Sequence, residues 1–475
     1  MGTAINLDRL FYPKNIAVIG ASPKRKWGWS SGNSWIAGSF KLGFQGPIYP
    51  VHPKAKTILG LKVYASILDI PDEIDFAIFT VPFTTVVEVM EQCVQKGVKF
   101  VHLLTAGFSE TGRKDYADLE NQLSETARKG GIRLIGPNCM GVYCPEGGLS
   151  WADEFPAESG STGFFSQSGQ IAYQVIRKSE PRKIRFSKAV SYGNASDLQA
   201  HDFLNYMAQD DKVKVIGAYV EGIKKGREFF EAAKKASIKK PLVILKGGQT
   251  KGGSRATLSH TSAIAGSQNI WKAMCNQAGI IQVHSLEEMV HTLQAFQMMP
   301  TPKGTNVAIL GGAGGGSVTM TDFAEKENLS VPHLAEKTIR QLEEFIPLQG
   351  SSVKNPLDIM AALTRKGNLI RVMELLRDDP NIDALIFNMS PNWIYKDYGR
   401  TALNIYLQVS LKAKEVLEKP LFISLAREDD VQADILHKEV EEWLHEAGMP
   451  TFPEFRLTAR ILNNMKKYRD YLDAH

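Results

Sequence analysis

The chain has 475 residues, of which 43% are hydrophobic and 23% charged, a composition that suits about three ordinary globular domains. Its 56 basic and 51 acidic side chains are interspersed and give a net charge of +5, which argues against a nucleic-acid-binding protein. The four cysteines have no CxxC spacing, none of the ten histidines lies in a ligand cluster, and no apolar run is long enough to span a membrane. We therefore expect a cytoplasmic protein with no disulfide framework and no metal site.

Short apolar runs alternate with helical patterns, which predicts the α/β class, with parallel sheets covered by helices on both faces. The first predicted strands are Asn15–Ile19, Pro47–Val51, Ile74–Val81, Phe100–Thr105 and Ile132–Ile135, with helices at Thr85–Gln95 and Lys114–Arg128. A second series runs from Gly163 through strands Val213–Val220 and Pro241–Leu245 to about Gln297. A linker with two prolines and a glycine is predicted at 298–305. The third series includes strands Asp383–Asn388 and Pro420–Leu425 and a final helix Leu457–Leu472.

The turn I-G-A-S at 19–22 places Gly20 directly after the first strand, where parallel α/β sheets bind ligands. The turn is not a G-x-G-x-x-G motif, and the second strand ends in V-H-P-K at 51–54. A lysine therefore stands in the region where a dinucleotide site would have an acid. Lys54, with the basic residues at 24–26, suits the phosphorylated ribose of coenzyme A (CoA) and disfavours NAD. The alternative is a tight turn with solvated lysines.

Two further turns follow predicted strands. In F-S-Q-S-G-Q at 165–170, serine hydroxyls and free N–H groups at a helix start form a candidate anion cradle, and a plain serine N-cap is the alternative. In G-G-A-G-G-G-S at 311–317, close backbone approach to a phosphate or a partner chain is expected. This second turn lacks the G-K-S/T ending of a Walker A loop.

His260 lies between two hydroxyl residues among small side chains, after the glycine-rich lead-in K-G-G-Q-T-K-G-G-S at 246–254. The near-neutral pKa of histidine makes it usable as a nucleophile toward phosphorus. Glu221, at the carboxyl end of an apolar strand, is the candidate to orient the imidazole, and the turn at 166–170 is the candidate to hold the phosphoryl charge. The alternatives are a structural histidine and a surface carboxylate.

In this order, the motifs resemble the α subunit of NDP-forming acyl-CoA synthetases, the relatives of succinyl-CoA synthetase, in the layout of the ADP-forming acetyl-CoA synthetase type. The likeness covers nearly the whole chain and includes D-I-P-D-E-I-D-F-A-I-F-T-V-P (69–82), T-A-G-F-S-E-T-G (105–112), G-P-N-C-M-G (136–141), S-Y-G-N-A-S-D (191–197), S-H-T-S-A-I-A-G (259–266) and N-P-L-D-I (355–359). It implies a Rossmann-like CoA-binding domain at 1–145 and a flavodoxin-like phosphohistidine domain at 146–297. A second flavodoxin-like ligase domain would occupy 298–475.

The resemblance also implies roles for individual residues. His260 falls on the phosphorylated histidine and Glu221 on the glutamate that orients it. The helix start that receives the phosphate corresponds to Ser166, Ser168 and Gly169, with Gln170 closing the cradle. The positions at which the family holds CoA are Gly20, Ser22, Pro53, Lys54, Val81, Pro82, Asn138 and Cys139.

The implied reaction converts a small carboxylic acid, CoA and ATP into acyl-CoA, ADP and phosphate. Because the family's ATP-grasp domain is not recognised in the chain, we expect a separate ATP-grasp β subunit that binds ATP and Mg²⁺, in a heterotetramer. Ser262 replaces a glycine that usually follows the histidine, and the stretches around Trp151 and Trp393 differ from the acetate-type pattern. The acid and the choice between ADP and GDP therefore stay open.

Two other classes of function remain. One is a non-catalytic CoA-binding or regulatory protein that keeps the fold, which the joint presence of His260, Glu221 and the serine turn argues against. The other is a nicotinamide-dependent dehydrogenase, which the lack of G-x-G-x-x-G argues against.

Overall fold

The α/β class predicted from the alternating pattern is confirmed. The computed structural model describes residues 5–24, 31–253, 255, 267–312, 314–359, 366–428 and 430–475. Within these ranges the chain forms three sheets that are parallel except for one strand, together with one small antiparallel hairpin. In the same ranges no helix is both long and apolar enough to cross a membrane.

The first sheet contains the five strands β1 (Ile16–Ile19), β2 (Ile48–Val51), β5 (Phe76–Phe79), β6 (Phe100–Leu103) and β7 (Arg133–Ile135). The hairpin strands β3 (Thr57–Ile58) and β4 (Leu61–Lys62) lie between β2 and β5 in the chain. The order of the sheet is β2-β1-β5-β6-β7, and every neighbouring pair is parallel. Every residue of β1, β5 and β6 is buried, as in strands with helices on both faces.

The helices of this region are α1 (Asp8–Phe11), α2 (Gly32–Lys41), α3 (Val86–Lys96) and α4 (Lys114–Lys129), with 3₁₀ turns at Ile67–Asp69, Phe83–Thr85 and Ser109–Thr111. All five predicted strands form, but each is shorter than predicted. Strands β5 and β6 end before Val81 and Thr105, because these two residues line a cavity and do not extend the sheet. The apolar runs therefore extend past the sheet into the site.

The second sheet has six strands, β8 (Gly141–Tyr143), β9 (Thr162–Ser166), β10 (Phe186–Ser191), β11 (Val215–Val220), β12 (Leu242–Lys246) and β13 (Ile280–Val283). Its order is β13-β12-β11-β9-β10-β8, and only β8 runs antiparallel to its neighbour. The helices are α5 (Gly169–Ser179), α6 (Ala200–Gln209), α7 (Gly226–Ser237), α8 (Gln268–Ala278) and α9 (Leu286–Met298). Since β8 lies before residue 145, the chain joins the second sheet ahead of the predicted boundary.

The third sheet has the parallel order β14-β15-β16-β17, formed by β14 (Val307–Leu310), β15 (Ala384–Met389), β16 (Leu421–Leu425) and β17 (Thr451–Phe452). Its helices are α10 (Gly315–Lys326), α11 (Glu336–Glu343), α12 (Lys366–Asp378), α13 (Pro391–Val416) and α14 (Val431–Glu446), followed by α15 (Phe455–Asp473). Helix α13 is kinked at Gly399, which has a φ of 76°. The predicted strands and final helix of this series all form.

The chain divides into two compact units. The first comprises Met1–Glu180 and Ile184–Met289 and contains the first two sheets, and the second comprises Pro181–Lys183 and Val290–His475. The division falls within α9 rather than in the predicted linker at 298–305. The three-domain division at 1–145, 146–297 and 298–475 remains a prediction.

In the first unit, the segment after β10 is hydrogen-bonded to the segment after β7. The backbone N–H groups of Asn194 and Ser196 donate to the carbonyls of Pro137 (3.0 Å) and Gly136 (3.1 Å). Gly193, with a φ of 52°, lies so close that a Cβ atom there would be 2.1 Å from the Pro137 carbonyl oxygen. Only glycine fits this joint between the two sheets.

The joint predicts the effect of adding a methyl group at Gly193. Gly97 is a matched control, because its φ is also positive (73°) and no described heavy atom lies within 4 Å of the place that a Cβ atom would take there. Gly97→Ala should cost only the left-handed strain of about 1–2 kcal/mol. Gly193→Ala adds a steric clash and should lower the melting temperature further in thermal unfolding followed by circular dichroism. Equal losses in the two variants would contradict the close contact.

Candidate active site

A cavity of about 620 Å³ opens where strand ends of the first two sheets meet. It is lined by segments that follow β5, β6, β7, β9 and β10, namely 80–82, 104–106, 138–140, 167–170 and 193–194. Because these segments all lie at the carboxyl ends of parallel strands, the cavity has the position at which open α/β sheets bind ligands. None of the described residues that line it is charged.

Seven of the residues predicted for the site line this cavity: Val81, Pro82, Asn138, Cys139, Ser168, Gly169 and Gln170. The first four follow strands of the first sheet and were predicted to lie near the CoA thiol. The last three follow β9 of the second sheet and were predicted to lie at the phosphate. Gly20, Ser22, Pro53, Lys54, Ser166 and Glu221 lie outside the lining. His260 and the departing residue Ser262 lie outside the described residues.

The start of α5 points at the cavity with an ordinary N-cap. Ser168 is the N-cap residue, and its Oγ accepts a hydrogen bond from the N–H of Ile171 (3.3 Å). Ser166 is fully buried and donates its hydroxyl to the Ser168 carbonyl (2.7 Å), so it shapes the turn from behind. A Cβ at Gly169 would lie 2.5 Å from Cγ of Met140. The helix start thus offers backbone N–H groups and its positive dipole end to an anion.

Gln167 joins this turn to the strand that carries Glu221. Its Oε1 accepts hydrogen bonds from the N–H groups of Glu221 and Gly222, the latter at 2.9 Å. Its own N–H donates to the carbonyl of Tyr219 (3.1 Å). Sequence reasoning quoted Gln167 only as part of the turn and missed this role. The amide between two serines at a strand end was the available signal.

Glu221 follows β11 directly and is only 6% exposed, so it is not the surface carboxylate of the alternative interpretation. The hydroxyl of Tyr219, on the same strand, lies near this carboxylate. Burial raises the pKa of Tyr219, and the negative charge of Glu221 adds to the increase.

At the turn after β1, the backbone of Gly20 lies close to the segment that follows β5. A Cβ at Gly20, where φ is 98°, would lie 2.7 Å from the carbonyl carbon and oxygen of Thr80. Two residues later, the N–H of Ser22 donates to Asn33 Oδ1 (2.8 Å), and Asn33 Nδ2 donates back to the Ser22 carbonyl (2.9 Å). Asn33 on α2 therefore fixes the turn, and no motif pointed to it. Of the basic residues at 24–26, only Lys24 lies within the described residues.

The turn after β2 is organised by His52. Its Nδ1 accepts hydrogen bonds from the N–H groups of Lys54 (3.2 Å) and Ala55 (3.1 Å), which makes Nδ1 the unprotonated nitrogen. Pro53 and Lys54 are exposed at this turn. The Lys54 ammonium is thus available to a phosphate outside the cavity.

Asn194, which lines the cavity, links the two sheets through two glutamates. Its Nδ2 donates to Glu110 Oε2 (2.7 Å) and Glu120 Oε2 (2.9 Å), and its Oδ1 accepts from Asn138 Nδ2 (3.4 Å). Glu110 also accepts from the N–H groups of Gly107 (2.6 Å) and Phe108, which closes the 105–112 turn. Residues 105–112 were recognised as a motif in the sequence, but the motif did not predict the hydrogen bonds of Asn194 to the two glutamates.

Cys139 lines the cavity but is almost fully buried, and burial raises the pKa of its thiol. Its carbonyl accepts a hydrogen bond from Nε2 of the buried His102 (3.0 Å). Burial lowers the pKa of His102 to about 4. Both groups are therefore neutral at pH 7, and the wall of the cavity carries no charge there.

The two tryptophans that departed from the acetate-type pattern are not in the lining of the cavity. Trp151 is 1% exposed and packs on Tyr143 and Phe155 in the core of the first unit. Trp393 is half-buried in the second unit and packs on Tyr398, with the ring centroids 5.3 Å apart.

The glycine-rich segment at 311–317 connects β14 to α10 in the second unit, with Ala313 outside the described residues. A Cβ at Gly311 would lie 2.1 Å from the carbonyl oxygen of Asn388, so the backbones are in close contact. Asp358 Oδ2 accepts from the N–H of Gly314 (3.2 Å). Part of this glycine content thus serves packing against the neighbouring strand.

Comparisons with known proteins match nearly the whole chain. A CoA binding domain model matches residues 14–145, and a model described as a succinyl-CoA ligase like flavodoxin domain matches residues 159–296. The chain is 38% identical over 447 residues to the acetate–CoA ligase (ADP-forming) II subunit alpha of Pyrococcus furiosus, a match that covers 90% of this chain and 96% of that one.

Two other relatives extend the match. Acetate–CoA ligase (ADP-forming) II of Archaeoglobus fulgidus is 36% identical over 474 residues, covering 98% of this chain and 67% of that longer one. The solved structure of acetyl-coenzyme A synthetase 1 of Ca. Korarchaeum cryptofilum, in complex with phosphate and ADP, has a TM-score of 0.84 at 29% identity. That comparison covers 99% of this chain and 98% of the solved one.

The neutral His102 predicts an acid-sensitive contribution to stability. Its folded pKa lies below the unfolded value, so protonation favours unfolding, and the contribution is lost as the pH falls from 6.5 toward 4. The loss should approach about 3 kcal/mol at pH 4. Urea denaturation between pH 4 and 7 should show a steeper loss for the parent than for His102→Asn, which removes the titrating group. Parallel curves for the two proteins would contradict the buried neutral state.

Proposed function

Because the chain belongs to the family of ADP-forming acetate–CoA ligases, we propose that it is the α subunit of an acyl-CoA synthetase. The proposed reaction converts a small carboxylic acid, CoA and ATP into acyl-CoA, ADP and phosphate. One observation carries the proposal. Val81 and Pro82, which follow β5 of the first sheet, line the same cavity as Ser168 and Gly169, which follow β9 of the second sheet. The CoA thiol and the phosphoryl group would therefore meet in this cavity.

We propose that CoA binds along the carboxyl edge of the first sheet. Gly20 and Ser22 lie in a turn whose backbone is fixed by Asn33, which suits close approach of a diphosphate. Pro53 and the exposed Lys54 lie at the end of β2, where a positive charge suits the phosphorylated ribose. The thiol would then reach the cavity between Pro82 and Asn138 or Cys139.

In the proposed mechanism, His260 carries the phosphoryl group between the nucleotide site and this cavity. Glu221 accepts a hydrogen bond from one imidazole nitrogen, so that the other nitrogen is the nucleophile. The lining has no charged side chain among the described residues, so the phosphoryl charge would be met by backbone N–H groups at the start of α5. Dipoles of this kind are already oriented before the reaction and stabilise developing negative charge effectively.

The acid would be activated at the same place. The phosphoryl group passes from His260 to a carboxylate oxygen, which gives an acyl phosphate and restores the neutral imidazole. The CoA thiol then loses its proton, its sulfur attacks the carbonyl carbon, and phosphate leaves with its electron pair. This route gives the acyl carbon a phosphate leaving group in place of the poor leaving group of the free carboxylate.

We propose that ATP and Mg²⁺ bind to a separate ATP-grasp β subunit, in a heterotetramer. The name of the Pyrococcus relative denotes an alpha subunit, whereas the Archaeoglobus relative is a longer single chain. With a separate subunit or with a longer chain, the enzyme has a further region in addition to the one that this chain matches. The cytoplasm is the proposed location, which suits the four buried free cysteines.

The proposal predicts that His260→Ala abolishes turnover while CoA binding and the fold persist. The chain, co-purified with its ATP-grasp partner, would be incubated with γ-labelled ATP and Mg²⁺, and acid-labile, base-stable label on this chain measured. The control is His201→Ala, which changes a histidine on α6. This variant should be labelled to the same extent as the parent protein. Label that persists in His260→Ala, or turnover without His260, would reject the phosphohistidine route.

A second prediction concerns Glu221. Glu221→Gln keeps the shape of the side chain but removes its charge, so the rate of phosphohistidine formation should fall by about 100-fold. CoA affinity, measured by isothermal titration, should change little, because Glu221 is outside the cavity lining. Glu228→Gln, at an exposed position on α7, is the control. An equal loss of CoA binding and phosphorylation would assign Glu221 a purely structural role.

A further inference from the structure

We infer that Met140 is a specificity-determining residue, whose side chain limits the size of the acyl group that the cavity accepts. This inference rests on the proposed function, because it concerns the acid that the proposed reaction activates. Met140 lies between β7 and β8, is partly buried, and lines the cavity. It belongs to the motif G-P-N-C-M-G at 136–141, but it was not among the predicted site residues.

The chemistry of the proposed reaction determines where the acyl group must lie. Its carbonyl carbon is bonded first to a phosphate oxygen and then to the sulfur of CoA, so the acyl group lies between these two partners. The proposed thiol position is beside Pro82 and Asn138, and the proposed phosphoryl position is the start of α5. A side chain that extends from one position to the other would contact the acyl chain.

Met140 extends between these two positions. It follows Asn138 and Cys139 in the chain, which line the cavity on the proposed thiol side. Its side chain packs on the first residue of α5, since a Cβ atom at Gly169 would lie 2.5 Å from Cγ and 3.6 Å from Sδ of Met140. The thioether therefore lies next to the place where the acyl phosphate would form.

The other side chains of the described lining leave this place without a second apolar group from the same side. The aliphatic ones follow β5 and β6 of the first sheet, and they are Val81, Pro82, Leu104 and Ala106. The lining residues that follow β9 and β10 are polar or glycine, and they are Gln167, Ser168, Gly169, Gln170, Gly193 and Asn194. Met140 thus places an apolar surface beside the polar helix start.

The backbone around Met140 is held on both sides. The N–H of Met140 donates to Ser191 Oγ (3.3 Å). The next residue, Gly141, begins β8 with a φ of 87°, and a Cβ atom there would lie 2.7 Å from the ring of His102. Because the segment is fixed in this way, room for a larger acid has to come from the side chain of Met140 and not from the backbone.

Methionine at this position favours an acid with an apolar chain of limited length. The side chain is unbranched and rotates about three bonds, so it adapts to chains of different shape until its own volume is in the way. A second charge on the acid would meet no charged side chain in the described lining, which makes its burial costly. One methylene more or less in an apolar pocket changes specificity by about 10- to 200-fold.

A matched control lies at the other end of the same strand and helix. Met207 on α6 is fully buried and also packs on a glycine, since a Cβ atom at Gly163 of β9 would lie 3.0 Å from Met207 Sδ. Met207 is not in the described lining of the cavity. Met140→Ala and Met207→Ala remove the same atoms, and only the first should change the preference among acids.

The test measures acyl-CoA formation from acetate, hexanoate and phenylacetate, with CoA, ATP and Mg²⁺, in the complex with the proposed ATP-grasp partner. The quantity compared is the ratio of kcat/KM for each larger acid to that for acetate, which does not depend on the folded fraction of a variant. Met140→Ala should raise this ratio by about 10-fold or more, and Met140→Phe should lower it. Met207→Ala should keep the parent ratio, whatever its melting temperature.

The remaining outcomes overturn the inference or the function on which it rests. An unchanged ratio in Met140→Ala would show that Met140 only packs on Gly169 and does not limit the acid. An equal change in Met207→Ala would assign the effect to general loosening of the first unit. If the parent and all variants form no acyl-CoA from any of the three acids, the proposed function itself is rejected, and this result is distinct because it is seen without comparing variants.

Discussion

The backbone pairing between the segments after β7 and β10 is the constraint on which the site depends. Asn194, Ser196 and Leu198 donate in turn to the carbonyls of Pro137, Gly136 and Leu134. These bonds hold the carboxyl end of the first sheet against that of the second. The cavity exists because five strand ends then converge on one volume. A shift along this pairing would separate the segment of Asn138 from the start of α5, and the proposed thiol and phosphoryl positions would no longer share a cavity.

The described lining of the cavity presents dipoles and no charged side chain. His102 is neutral, and the start of α5 contributes its positive dipole end. Glu221 is buried and lies outside the described lining. Under the proposed function, a phosphoryl group in the cavity would therefore be met by backbone N–H groups and not by a charged side chain of the described lining.

Local patterns in the sequence were sufficient for some features of the site and not for others. The turn at Gly20 and the serine N-cap before α5 depend on neighbours in the chain, so a strand followed by turn residues indicated a turn at the first and offered an N-cap as the alternative at the second. The pairing of Gln167 with Glu221 spans 54 positions, and that of Asn194 with Glu110 spans 84. Such pairs leave no periodic signal in one sequence. The stretch around Trp151 departs from the acetate-type pattern, but the side chain itself packs in the core, which the sequence alone did not show.

The measurement that tests the account most directly is the location of the phosphoryl group on the chain. After brief reaction with ATP and Mg²⁺ in the complex with the proposed ATP-grasp partner, the protein would be digested with trypsin at alkaline pH and its peptides fragmented by electron transfer. The account predicts the phosphoryl group on His260, in the peptide that follows Arg255 and ends at Lys272. A phosphoryl group on a serine or threonine of that peptide, or on another part of the chain, would contradict it.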